Sequence, residues 1–187
     1  LIFVGSKGGY YEDPPRSIDY FFRQVPYYFY LSQNVSPTQD FVALSISKYI
    51  EENLDFCAND FIDYQGIKVE AGRINANTQF TKGKVILTLN YPITVQRGNS
   101  ATQLEVFRTE LPIRYLDLYA TGLKITELQM KDNDNICLSC LVDAAAEHNV
   151  SIKFENYDEN TILFTVTLNT TSVDSKIIDL IFANRYR

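Results

Sequence analysis

The chain holds no tryptophan, one methionine, one histidine and three cysteines in 187 residues. With His148 as the only imidazole and no second C-x-x-C, it cannot assemble a common structural zinc site from its own side chains. Neither G-x-S-x-G nor G-x-x-x-x-G-K-[ST] occurs, so the signatures of the hydrolase nucleophile elbow and of the phosphate loop are missing. Basic charge is short as well: 17 Lys and Arg stand against 23 Asp and Glu, for a formal net charge of −6. Such a chain repels a phosphate backbone on average, and no Lys/Arg cluster reverses this locally, which argues against nucleic acid as a partner. Nor is there an apolar run of about 18 residues, so the chain as given holds neither a membrane-spanning helix nor a signal peptide.

What is present is an ordinary globular balance, 45% hydrophobic against 21% charged, in a length sufficient for one domain over residues 1–187. The apolar start Leu1-Ile2-Phe3-Val4 leads to the expectation that an N-terminal part has been removed. Three features favour an extracytoplasmic location. Asn34-Val35-Ser36, Asn149-Val150-Ser151 and Asn169-Thr170-Thr171 fit the N-x-S/T acceptor for glycosylation, with Asn34 the poorest because Pro37 follows its serine. The 13 Tyr and 12 Phe, without Trp and with many Asn and Thr, match a composition common in exported β-rich domains and also in low-GC genomes. The C-x-x-C at Cys137 is the third, since an oxidising exterior would close it.

Periodicity gives the architecture. Ser36 as N-cap, Pro37 at N1 and Gln39 at N3 predict a helix over Thr38 to Leu54, with Val42, Ile46, Tyr49, Ile50 and Asn53 on one face. Before it, Tyr27 to Leu31 reads as a strand in an otherwise irregular opening forty residues. From Ile67 to Leu111 the period is two, which predicts an antiparallel meander, with Pro92 ending a strand or marking an edge or bulge. A helix over Tyr115 to Met130 is expected to present Leu116, Tyr119, Leu123, Glu127 and Met130. A second helix begins at the cysteine pair and ends at Asn149. A hairpin follows, turning over Asn156 to Asn160, and Ile177 to Phe182 is a last strand. The expected class is α+β: an antiparallel sheet, meander plus C-terminal hairpin, packed with about three helices.

Cys137-Leu138-Ser139-Cys140 carries the most chemical information, since two thiols at this spacing can be a disulfide, a redox couple or half a metal site. At a helix N-terminus the first thiol is made more acidic by the dipole and the free N–H groups. Redox enzymes, however, place C-x-x-C directly after a buried strand in a βαβ unit, whereas a helix and an acidic turn come first here. The preferred reading is a structural disulfide or buried thiols, with a thiol–disulfide oxidoreductase as the alternative. Cys57 makes the count odd; either it bonds one of the pair, or its partner lies in an N-terminal part.

The other candidates favour plain readings. His148 sits at a predicted helix C-terminus with no nucleophile motif to serve. Gly5-Ser6-Lys7-Gly8-Gly9 reads as a turn or flexible entry. Asp132-Asn133-Asp134-Asn135 has ligand-like spacing, but an EF-hand needs Gly at its sixth and Glu at its twelfth position, where Cys137 and Asp143 stand. It reads as a solvated turn and helix cap. Tyr27, Tyr28 and Tyr30 are candidates to stack on sugars or a partner protein, although at strand spacing such a cluster is more often half core.

Gly8-Gly9-Tyr10, Tyr27-Tyr28-Phe29-Tyr30, Tyr49-Ile50-Glu51-Glu52-Asn53-Leu54 with Cys57 after it, Asn90-Tyr91-Pro92, Ile136-Cys137-Leu138-Ser139-Cys140 and Phe182-Ala183-Asn184 together resemble the landmarks of a family of archaeal membrane-anchored surface proteins. The resemblance spans nearly the whole chain. Members carry an N-terminal apolar helix similar to a type IV pilin leader, then a helix with a further cysteine, both lacking here. The resemblance implies a non-enzymatic extracytoplasmic domain, structural or adhesive, hung on a membrane or filament helix, and a fourth cysteine in the missing part. Its partners would be proteins at the cell surface or in a filament, and it would meet a membrane only through a preceding segment. The resemblance carries over no catalytic residue, and neither cofactor nor metal is called for.

Overall fold

The structure, a computed structural model, describes residues 1–58, 66–132, 135–173 and 176–186, without the side chains of 57, 58, 170–173 and 176. Its described elements follow the chain as α1 (Ile2–Ser6), β1 (Ser17–Tyr20), β2 (Arg23–Tyr30), β3 (Gln33–Asn34), α2 (Gln39–Ala58), β4 (Lys68–Ala71), β5 (Asn75–Thr81), β6 (Lys84–Arg97), β7 (Ser100–Leu111), α3 (Tyr115–Lys131), α4 (Leu138–His148), β8 (Val150–Asp158), β9 (Thr161–Val173) and β10 (Lys176–Arg185). The fold is α+β. The larger sheet runs β1-β2-β10-β9-β8 with β3 added on β2, and the smaller places β6 between β7 on one side and β4 and β5 on the other.

In the smaller sheet β4 pairs with Ile93–Gln96 of β6 and β5 with Lys84–Asn90, so the two short strands share one edge of β6. This departs from a simple meander. The cause is Pro92, which cannot donate to a ladder and sits where the β6–β7 register shifts between Asn90 and Ile93. The strand continues past the proline through this bulge, and the Gly72 N–H donates to the Pro92 carbonyl at 2.7 Å.

The larger sheet contains a pairing that local pattern does not announce. β10 runs antiparallel to β9 along its length, but parallel to β2 from Ala183 to Arg185. The chain ends are thereby joined at the centre of the sheet, and Asn184 Oδ1 accepts the Phe29 N–H at 3.1 Å beside the register shift. Over Asp179 to Ile181, β10 has no β2 partner, and α1 packs there instead. This approach needs glycine. A Cβ on Gly5 would stand 2.3 Å from the Asp179 carbonyl oxygen, and one on Gly8, whose φ is +56, would stand 2.7 Å from that of Ile181. The opening residues are thus a helix and three strands rather than irregular chain.

Tyr28, Phe182 and Phe164 stack across β2, β10 and β9, with ring centroids 4.3 and 5.5 Å apart in sequence. The main core grows around this stack from Val4, Val42, Ile46, Tyr115, Leu118, Ile125 and Leu141. α3 meets it through Tyr115, Leu118, Gly122, Ile125 and Gln129 rather than the expected stripe, and Met130 and Glu127 are exposed. Gly122 explains the offset, because a Cβ there would lie 3.0 Å from Leu180 Cδ2 and 3.2 Å from the Tyr28 ring. The helix turns its smallest residue to the sheet, and a hydrophobicity pattern reads that as a gap. α2 carries its expected face inward at Val42 and Ile46, but Thr38 is its cap: Thr38 Oγ1 accepts the Phe41 N–H at 3.2 Å, whereas Ser36 binds back to Asn34.

Candidate functional site

α4 begins at the cysteine pair because Cys137 supplies its N-cap. In extended backbone, Cys137 places Sγ where it accepts the Cys140 N–H at 3.3 Å, satisfying one of the free donors of the first turn. Cys137 and Cys140 are joined as a disulfide with Cα atoms 5.2 Å apart. Their surroundings differ: Cys137 is exposed and Cys140 half-buried. The Ser139 hydroxyl lies 3.5 Å from the Cys137 sulfur. Leu141 and Ala144 bury the inner face of the helix, while Leu138 and Val142 stand out at 59% and 67% exposure. The far end stops at Asn149, left-handed at φ 48, a conformation asparagine tolerates well. Cys57 falls in the last turn of α2 with its side chain outside the described residues.

That far end meets the start of α3 at a polar junction. Arg114 donates to the carbonyls of His148 and Asn149, each at 3.1 Å, and to Asp117 at 2.9 Å. His148 Nδ1 lies 3.9 Å from Asp117. Arg114 therefore satisfies carbonyls that α4 leaves unpaired while pairing with the first-turn acid of α3, which is a structural role.

The tyrosine candidates are corrected by their burial. Tyr28 is fully buried in the main stack, its hydroxyl donating to the Gly8 carbonyl at 3.1 Å, and burial raises its pKa well above the ordinary tyrosine value. Tyr27 belongs to a second core on the other side of the sheet with Ile18, Val25, Leu163 and Ala183. Tyr30 is half-buried, with the Arg16 guanidinium 4.8 Å from its ring centre. A sugar-stacking platform requires open rings, whereas Tyr27 and Tyr28 are buried and Tyr30 is partly covered by Arg16. Among the described residues the most exposed aromatics are Phe22, Phe56 and Phe21; Phe21 and Phe22 form the β1–β2 turn, which pattern analysis missed because neither residue is a turn former.

The three sequon asparagines are exposed. Asn34 accepts from the Ser36 N–H and hydroxyl. Asn149 and Asn169, twenty residues apart in the chain, meet side by side, with Asn169 Nδ2 3.4 Å from Asn149 Oδ1. Of the acidic turn, Asn133 and Asp134 lie outside the described residues; Asp132 Oδ1 accepts the Asn135 N–H at 3.1 Å. Among the described residues no group of three His, Cys, Asp or Glu is placed to hold a metal, and no helix is long and apolar enough to cross a membrane.

A cleft of about 880 Å³ opens beside α1. Its apolar wall comes from Leu1 and Ile2 of the N-terminal segment, Ile46 and Ile50 of α2, Leu87 of β6 and Ile177 of β10, and Lys7 and Asp13 pair at its rim at 3.0 Å. Side chains of α2, β6 and β10 thus share this cleft with the first turn of the chain. Comparison with protein-family models, with curated proteins and with solved structures gave no match.

Proposed function

We propose that this chain is a non-enzymatic extracytoplasmic domain of a membrane- or filament-anchored surface protein, with a structural or adhesive role. The observation that carries the reading is the seat of α1. A helix of only five residues is too short to persist alone in water, yet here Val4 is fully buried and Gly5 lies against the backbone of β10. The helix is held by the centre of the sheet, and the apolar cleft continues around its first turn. Such a seat suits a helix that transmits load between an anchor and the domain. The disulfide and the exposed sequon asparagines support an oxidising, glycosylating compartment.

The test is made on intact cells of the source organism. An antibody against this chain, combined with a membrane-impermeant biotin ester, is expected to find the protein labelled from outside and sedimenting with membranes or filaments. Recovery as unlabelled protein in the soluble fraction would refute the proposal.

A further inference from the structure

Of the two bridged residues Cys137 is the exposed one, and it stands beside uncovered apolar side chains. Leu138 follows it directly, and Val142, one turn on, lies on the same stripe of α4. Both are more than half exposed, although the same helix buries Leu141 and Ala144 in the core. Exposed apolar side chains are common on this surface, and this pair is set apart by its place beside a disulfide. It has a use where a second polypeptide must approach the adjoining sulfur.

We propose that Cys137–Cys140 is a thiol-exchange site for cysteines carried on polypeptide segments. Cys137 is the sulfur that forms the mixed disulfide, and Leu138 and Val142 receive apolar residues flanking the incoming cysteine. The partner thiolate attacks Cys137 Sγ, the bond to Cys140 breaks, and its electron pair leaves on Cys140 sulfur, which takes a proton from solvent. A second partner thiolate then attacks the partner's sulfur in the mixed disulfide and expels Cys137 thiolate. Two partner thiols are thereby oxidised to one disulfide while the bridge is reduced to two thiols. Three groups suit Cys137 to leave: the Cys140 N–H at 3.3 Å, the other free N–H groups of the first turn, and the Ser139 hydroxyl at 3.5 Å. Cys140, the more buried residue of the two, resolves the mixed disulfide by attacking Cys137 again. The exchange is stoichiometric, one partner disulfide formed per bridge reduced, so it is compatible with a non-enzymatic domain; it does not depend on where the chain is carried and stands or falls separately from the surface-domain proposal.

The test uses the oxidised whole chain with two probes at equal thiolate concentration, reduced glutathione and an end-capped leucyl-cysteinyl-leucine tripeptide. Acid quenching and peptide mass mapping locate each adduct and separate Cys57 from the pair. The expected result is adduct on Cys137, formed about tenfold faster with the tripeptide, as partial burial of two leucines against an apolar patch gives. The Leu138→Ser, Val142→Ser double variant should bring the ratio of the two rates to about one, and Cys140→Ser, whose Cys137 is a free thiol, should take a stable adduct on Cys137 from the disulfide forms of the same probes, releasing one probe thiol per adduct. Adduct on Cys140, equal rates for both probes in the unaltered chain, or a bridge untouched by either probe over hours would overturn the proposal.

Discussion

Replacing Gly5 by alanine tests the seat of α1 directly. Two effects oppose each other. In a free helix the change gains about 1 kcal/mol of propensity. In the protein the added methyl falls 2.3 Å from the Asp179 carbonyl oxygen, where only backbone can yield. Relief requires α1 to withdraw by about an ångström, and overpacking of this kind costs about 1–3 kcal/mol, the upper end applying where backbone must move. The cost is capped by complete release of the helix, which exposes Val4 and loses about 2 kcal/mol of its burial. Little of the propensity gain survives in so short a segment, so the net expectation is about 2 kcal/mol of destabilisation. Urea denaturation gives the value, and hydrogen exchange at residues 1–8 should show local loss of protection. Gly83→Ala is the control. It has φ +84 and nothing within 4 Å of its Cβ position, and should cost about 1 kcal/mol with no effect on α1. If Gly5→Ala stays within about 0.5 kcal/mol of the parent, with residues 1–8 still protected, the account of the seat is wrong.

Three further outcomes follow from the same geometry. The Tyr115 hydroxyl is buried and, among the described residues, without a hydrogen-bond partner, so Tyr115→Phe should stabilise by about 1 kcal/mol in thermal or urea unfolding. Burial raises the pKa of Tyr28, Tyr115 and Tyr186 above the ordinary 10.0, so their neutral forms are favoured in the fold. Their contribution is complete below pH 10 and is lost as pH climbs from 10 towards the folded-state values, because the unfolded chain ionises first. The urea midpoint should therefore fall steeply above pH 10, and Tyr115→Phe should lessen that slope by about 1.4 kcal/mol per pH unit; an unchanged slope refutes the assignment. At the β1–β2 turn, Phe21 and Phe22 hold left-handed φ values of 45 and 64 that suit Asn-Gly. Relieving about 1 kcal/mol at each, and losing the edge contact of Phe21 with Tyr20, the Phe21→Asn, Phe22→Gly variant should be about 1 kcal/mol more stable by the same denaturation assay.

Much of the candidate site was legible as residues and little as environment. The spacing of Cys137 and Cys140 and the helix behind them could be read directly, but which of the two residues is the more exposed could not. Leu138 and Val142 look like ordinary members of an apolar helix until the packing of α4 on α3 and β8 selects Leu141 and Ala144 for the interior. The tyrosine run gave its strand correctly, but whether a strand buries one face or both depends on what lies beyond each. The second core at Ile18 and Val25 closes over Tyr27 from residues outside the run.

By itself the sequence determined those elements whose side chains repeat in step with their own backbone: the strands β6 and β9, the inward face of α2, the α4 run, and with them the α+β class. It also determined charge, sequons and cysteine spacing. Tertiary structure decided the parallel pairing of β2 with β10, the Phe21–Phe22 and Leu31–Ser32 turns, the face that α3 turns inward at Gly122, and the seat of α1. The pairing, the α3 face and the seat of α1 depend on contact between residues far apart in the chain, and the two turns on left-handed backbone at Phe21, Phe22, Leu31 and Ser32; no side-chain period encodes either. The glycines show the difference most directly: along the sequence Gly5 and Gly122 read as interruptions, whereas in the folded chain they are where backbone and core come closest.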